Sequence, residues 1–291
     1  MQPARDNFTH RQYMIKSTFE FFHYRDDSNL VVEYHHHDFY EIYFFVSGKV
    51  SYIIEGKSYS LKPGDILLIN DKEIHKPVIE EGSIYERYVL WINPELLIKY
   101  STRDSNLQTC FETTLKTRHN LLRPRAETRS TINEMLLKLS KACSGTTFGS
   151  DILMELYLIE LIILLNKEYI AQDMDDITED MIYDSKISEI ISYINENLSG
   201  DLYLEKLASK FYISKYHLLR MFKKHTGYTP YNYIQKKRLI TARGLLKEGL
   251  NISQVCQACG FNDYSNFIRA FSNEFGISPK RYAMKSREIL I

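Results

Sequence analysis

Near the start of the chain, His35, His37 and Glu41 fall within the run HHHDFYE, and His75 follows further on. Side chains alternate along an extended strand, so residues 35, 37 and 41 share one face and His36 takes the other. Together with His75 from a neighbouring strand, they form a donor set of three nitrogens and one oxygen that iron, manganese or zinc accepts. The same groups serve equally well as the polar lining of a cavity for a small organic ligand, with no cofactor required. Both readings stand on the residues alone. Tyr43, Tyr52 and Trp91 are placed to add aromatic walls to such a pocket. The pair Cys256-Gln-Ala-Cys259 has the spacing of a zinc or redox motif. No second such pair and no paired histidines follow it at finger spacing, and its helical phase puts both thiols on a buried face, so core packing is the expected role.

A different chemistry is suggested by the charge distribution. Lys+Arg and Asp+Glu balance at 37 each over 291 residues, but residues 185–291 carry 17 basic against 8 acidic side chains, leaving 20 against 29 before them. A basic module joined to an acidic one suits a reader of nucleic acid attached to a regulatory domain, because cationic side chains displace counterions from the phosphate backbone. At 44% hydrophobic residues the chain has material for packed cores and lacks the composition of a disordered protein. The amino-terminal stretch has no uninterrupted apolar run. The most apolar segment, residues 152–165, is broken by Glu155 and Glu160 and is too short to cross a bilayer. With four cysteines and no disulfide pattern, a cytoplasmic protein without a membrane partner is expected.

The elements that must hold these groups change character along the chain. Short strands are predicted over VVEYHHH, EIYFFV, KVSYIIE, KSYSL, DILLIN and SIYERYVLWI, separated by glycine turns, which is the pattern of an antiparallel sandwich or barrel. From Pro94 the pattern is helical, first in ETRSTINEMLLKLSKAC and then in DILMELYLIELIILLNKEYI. The latter is apolar nearly all round, so it must bury a second face, and a homodimer is expected. An acidic linker is expected over 171–185. Beyond it lies an internal repeat: Leu204, Leu207, Ala208, Phe211 and Ile213 recur 48 positions on as Ile252, Val255, Cys256, Cys259 and Phe261. Leu218, Phe222, Gly227, Pro230 and Tyr233 recur 49 positions on as Phe267, Phe271, Gly276, Pro279 and Tyr282. Each copy reads as a helix-turn-helix. With Leu218 and Phe222 inward, the second helix of the first copy presents Lys215, Tyr216, Leu219, Arg220 and Lys223. The matching helix of the other copy presents Tyr264, Ser265, Asn266, Arg269 and Asn273. Arg220 and Arg269 hold equivalent places, each able to grip a guanine bidentately.

These repeats, in particular LASKFYISKYHLLRMFKKHTGYTPYNYIQKKRL and ISQVCQACGFNDYSNFIRAFSNEFGISPKRY, resemble the DNA-binding domain of the AraC/XylS family of transcription regulators across residues 186–287. The resemblance implies two helix-turn-helix units joined by a long helix, about 230–246, that present Tyr216 and Arg220, and Tyr264, Ser265, Asn266 and Arg269, to successive major-groove segments. Leu219 departs from a polar base reader. The His-x-His-x-x-x-Glu spacing with Gly48, Pro63-Gly64-Asp65 and His75 resembles a cupin barrel over about residues 20–92, a common sensory domain of that family. Asn29 stands where the cupin pattern has glycine.

The expectation is therefore an α+β chain of two domains: a cupin-like sensing and dimerisation domain over 1–170 and an all-α double helix-turn-helix domain over 186–291. Its expected function is that of a sequence-specific transcription regulator, an activator by resemblance. Expected partners are double-stranded operator DNA, a small-molecule effector such as a sugar or other metabolite, a second copy of the chain and, for an activator, RNA polymerase. The rival is a metal-dependent cupin oxygenase or isomerase carrying a DNA-binding tail, with His35, His37, Glu41 and His75 as its ligands. A third reading is a constitutive DNA-binding protein whose barrel only dimerises.

Overall fold

A computed structural model describes residues 11–26, 30–117, 119–172 and 181–288. The chain divides into two compact units, with the main break between Ile182 and Tyr183 and the short segment Glu55–Lys57 grouped with the second unit. Of the expected linker, 171–185, positions 173–180 lie outside the described residues. Its last residues pair as a strand (Met181–Ile182) and then cap the next helix through Asp184.

The first unit contains two sheets. One has the order β1 (Phe19–Asp26), β7 (Tyr85–Ile92), β2 (Tyr40–Ser47), β5 (Ile66–Ile69), β8 (Leu121–Leu122). The other has the order β6 (His75–Ile79), β3 (Val50–Ile54), β4 (Lys57–Ser60), β9 (Met181–Ile182). Period-two alternation assigns the residues of the first sheet to two cores. Tyr40, Ile42, Phe44, Ile66, Leu68, Leu90 and Ile92 pack with the helices. Tyr43, Phe45, Leu67, Ile69, Val89 and Trp91 pack instead with Val50, Tyr52, Ile54 and Tyr59 of the other sheet. The register locks this arrangement: Glu41 lies opposite Trp91 and Tyr43 opposite Val89, and a one-residue slip would exchange the two faces.

VVEYHHH does not form the expected strand. Only an isolated bridge joins His35 to His75, through reciprocal backbone hydrogen bonds of 3.0 Å. Its partner β6 is an edge strand, which is also where Pro77 can sit without costing a ladder bond. Helices α1 (Pro94–Tyr100), α2 (Thr109–Thr117), α3 (Ala126–Ser144) and α4 (Ser150–Ala171) follow. The two long helices occupy the expected segments. Helix α4 buries Leu158, Leu161, Ile162, Leu165 and Tyr169 in its own unit but leaves Leu153, Leu156, Ile163 and Ile170 exposed.

The second unit is helical throughout: α5 (Ser185–Glu196), α6 (Leu204–Lys210), α7 (Lys215–Thr226), α8 (Pro230–Lys247), α9 (Ile252–Ala258), α10 (Tyr264–Phe275) and α11 (Pro279–Glu288). The repeat seen in the sequence is repeated in the backbone. Ile213 N–H donates to Ala208 O and Phe261 N–H to Cys256 O, both at 3.0 Å. The turn residue is left-handed in both copies, Tyr212 at φ 54° and Gly260 at φ 74°. Each second helix has a side-chain N-cap, Ser214 or Asp263, and ends on a left-handed glycine, Gly227 or Gly276. Cys256 and Cys259 are buried free thiols in the core beneath α9, as helical phase predicts.

Candidate functional site

In the first unit, a cavity of about 290 Å³ opens between the sheets, lined by Tyr24, Glu41, Tyr43, Tyr52, Arg87 and Trp91, among others. Strand β7 contributes Tyr85, Arg87, Val89 and Trp91, four residues of one parity, and β2 contributes Glu41 and Tyr43. Glu41 is the polar centre of this wall. Its Oε2 accepts from the indole N–H of Trp91 at 2.8 Å and its Oε1 from the Tyr52 hydroxyl at 3.3 Å. Burial pushes the carboxyl up, but the adjacent His37 imidazole outweighs it and holds Glu41 at about 2, so the group is a carboxylate at neutral pH. Burial also pushes the phenols of Tyr43 and Tyr52 well above their usual range, which keeps both neutral. The Tyr43 hydroxyl donates to that of Tyr85 at 2.5 Å. Arg87 is only 2% exposed; it donates to Asp26 at 2.5 Å and its guanidinium carbon lies 4.0 Å from the Tyr85 ring centroid. Arg11 closes one side, over the Trp91 ring at 5.0 Å and paired with Glu20 at 2.6 Å.

Of the residues singled out for this pocket, His35, Glu41, Tyr43, Tyr52 and Trp91 line it. His37 and His75 instead lie buried beside Glu41, and the three together bring one donor atom each to within 4.8 Å of the others. His35 is not part of that group. Its ring is turned by a hydrogen bond between Nδ1 and Glu33 O, in a segment that is not the strand expected to carry it. Sequence reasoning missed Arg11, Tyr24, Tyr85 and Arg87. Strand parity signals two of them: from Trp91, steps of two along YERYVLWI reach Val89, Arg87 and Tyr85.

The second unit supplies a surface rather than a cavity. On α7, Lys215, Tyr216, Leu219, Arg220 and Lys223 are all exposed, while Leu218 and Phe222 are fully buried. On α10, Tyr264, Ser265, Asn266, Arg269 and Asn273 are exposed over buried Phe267 and Phe271. Two of these groups are already engaged: Lys215 pairs with Glu205 at 3.0 Å, and Arg269 reaches Asn266 Oδ1 at 3.4 Å. Both helices thus present one polar face headed by an N-terminal turn, the geometry that enters a major groove. An open cleft beside α10 is bordered on α8 by Tyr231, Asn232 and Gln235, which sequence reasoning did not single out.

A family model described as a helix-turn-helix domain matches residues 207–285, from α6 into α11. A second, described as an AraC-like ligand binding domain, matches residues 19–162, from β1 into α4. The chain belongs to the AraC family. Among its relatives, the HTH-type transcriptional activator RhaS of Salmonella arizonae is 25% identical over 247 residues, which is 84% of this chain and 85% of that one. RhaS of Salmonella typhimurium strain LT2 is 24% identical over 251 residues, at the same coverage. Among solved structures, a transcriptional regulator with an AraC-type DNA-binding domain from Chromobacterium violaceum is 30% identical across 35% of this chain and 92% of its own, with a TM-score of 0.33. As an AraC-family protein the chain is a transcription regulator that couples a ligand-binding domain to a DNA-binding one. No described helix is long and apolar enough to cross a membrane.

Proposed function

We propose that this AraC-family protein is a transcription activator whose affinity for operator DNA is set by a small metabolite held between the sheets of its first unit. The observation that carries this reading is the joining, in one chain, of a small polar-aromatic cavity to two equivalent polar helix faces centred on Arg220 and Arg269. A volume of about 290 Å³ sits at the lower end of the roughly 300–1,000 Å³ usual for small-molecule sites. Its aromatic walls and its Glu41 and Arg87 side chains suit a polar, hydroxyl-bearing compound such as a sugar. Arg220 and Arg269 are assigned to base edges and Lys215 and Lys223 to phosphates, with Tyr216, Leu219, Tyr264, Ser265, Asn266 and Asn273 completing the contact faces. The sign of regulation follows the relatives, which are named activators, and an activator would in turn contact RNA polymerase.

The exposed apolar stripe of α4, Leu153, Leu156, Ile163 and Ile170, supports a homodimer, because an apolar face of this kind is costly to leave in water. The relatives, named as transcriptional activators, favour a regulator over a metal-dependent cupin enzyme.

The test is fluorescence anisotropy of the full chain with duplex DNA from its own upstream region and with random duplex, at several salt concentrations and with a panel of metabolites. Selective, salt-dependent binding that a metabolite strengthens is the expected result. Equal affinity for both duplexes under every condition would remove the regulator reading.

A further inference from the structure

Three buried side chains, His37, Glu41 and His75, bring their donor atoms together at the edge of the cavity. Nδ1 of His75 lies 2.9 Å from the backbone carbonyl of Glu73, and Nδ1 of His37 lies 2.8 Å from that of Phe39. A carbonyl oxygen only accepts, so each Nδ1 carries a hydrogen, and in the neutral ring that burial favours for His75 the Nε2 presents a lone pair. Nε2 of His37 lies 3.6 Å from Glu41 Oε2. Nε2 of His75 belongs to a side chain with 0% exposure and has no hydrogen-bond partner among the described residues. One donor atom from each of three buried side chains converges within 4.8 Å of the others. The contact between His37 and Glu41 leaves Nε2 of His75 unsatisfied. An ion between the three would satisfy it.

We propose that His37, Glu41 and His75 form a three-ligand site for a divalent first-row metal ion, with His35 outside it. Two imidazoles and one carboxylate are the donor set that zinc and iron(II) take when coordination positions are left for a further ligand. The carbonyls of Phe39 and Glu73 act as the outer shell that fixes ring orientation and tautomer, as partners of metal-bound histidines commonly do. Glu41 belongs both to this cluster and to the cavity wall, so the ion would sit where an effector can complete its coordination.

The experiment uses the untagged full-length protein, stripped with chelator, dialysed and titrated calorimetrically with Zn²⁺ and with Co²⁺, whose visible spectrum reports coordination number. The expected result is one equivalent per chain, with a Co²⁺ spectrum of a nitrogen–oxygen site. Glu41→Gln and His75→Ala should each weaken binding by more than the roughly 10–100-fold that outer-shell changes cost. His35→Ala should change it by less than about threefold. Far-UV circular dichroism of each variant separates loss of ligand from loss of fold. If His75→Ala does not fold, the Co²⁺ spectrum of Glu41→Gln, which keeps the size of the side chain, decides instead. Absence of stoichiometric binding of either ion to the folded parent protein would overturn the site. Loss of binding in His35→Ala as great as in His75→Ala would overturn the three-ligand assignment.

Discussion

Residues 212 and 260 occupy the same place in the two helix-turn-helix units, yet replacing each should move stability in opposite directions. Both are left-handed, at φ 54° and 74°. At Gly260, a Cβ would stand 2.6 Å from the carbonyl oxygen of Leu198 and 2.9 Å from Nη2 of Arg238. Arg238 is itself fixed there, donating to Leu198 O at 2.9 Å and Gly200 O at 2.7 Å. Gly260→Ala therefore incurs about 1–2 kcal/mol for the left-handed conformation and loosens a hydrogen bond worth about 1 kcal/mol. It also forces the Leu198 carbonyl to move, at about 1 kcal/mol on the scale of overpacking. The smaller entropy of the unfolded alanine chain returns roughly 0.4–1 kcal/mol. The net loss is about 2–3.5 kcal/mol. Tyr212 is 94% exposed, so Tyr212→Gly sacrifices no packing. It removes about 1–2 kcal/mol of strain against a glycine entropy cost of about 0.5–1 kcal/mol, a net gain near 0.5 kcal/mol. Hydrogen exchange read by mass spectrometry resolves the two units. Amides of α9 and α10 should lose ~30–400-fold in protection in Gly260→Ala, and those of α6 and α7 should gain about twofold in Tyr212→Gly. A shift of the same sign at both sites, or a loss below about 0.5 kcal/mol at residue 260, would refute the reasoning.

Three further outcomes are expected. Arg220→Ala and Arg269→Ala should each cost about 1–3 kcal/mol on the specific duplex and much less on random DNA, whereas Lys223→Ala should weaken both alike, as titrations at fixed salt will report. Leu156→Glu combined with Ile163→Glu should convert a dimer to a monomer in light scattering with little change in melting temperature, because both side chains are exposed in the single chain. Burial pushes the thiols of Cys110 and Cys259 up to about 12, so at pH 8 only about one in 10⁴ is thiolate and both should resist alkylation until the chain unfolds.

The helical half was legible because its signals are local. Apolar spacing, Ser214 and Asp263 caps, and the glycine stops all act within a turn or two, and the repeat states the pattern twice. The sensing half was only partly so. The strand containing Trp91 announced its inward face by alternation, and Glu41 followed from the same rule on β2. The histidines converged for a different reason from the one that alternation suggests: His35 and His37 precede β2, and their places depend on a bridge to His75 some 40 residues away, which no local pattern encodes. Arg11 reaches the cavity from outside any strand, and Asp26 meets Arg87 only through the pairing of β1 with β7. Long-range register, not residue type, was the missing information.

Trp91 is the only tryptophan in the chain. Its indole N–H is bonded to Glu41, its ring lies 4.7 Å from Phe39 and 4.9 Å from Phe22, and it is 7% exposed at the cavity wall. The protein therefore carries a native optical probe at the cavity proposed to hold the effector, with no second indole to dilute the signal. Any molecule that displaces the Arg11 guanidinium from the ring or redirects the Glu41 carboxylate changes the field around that one chromophore. Emission from unlabelled protein becomes a direct screen for effectors, before any operator is known.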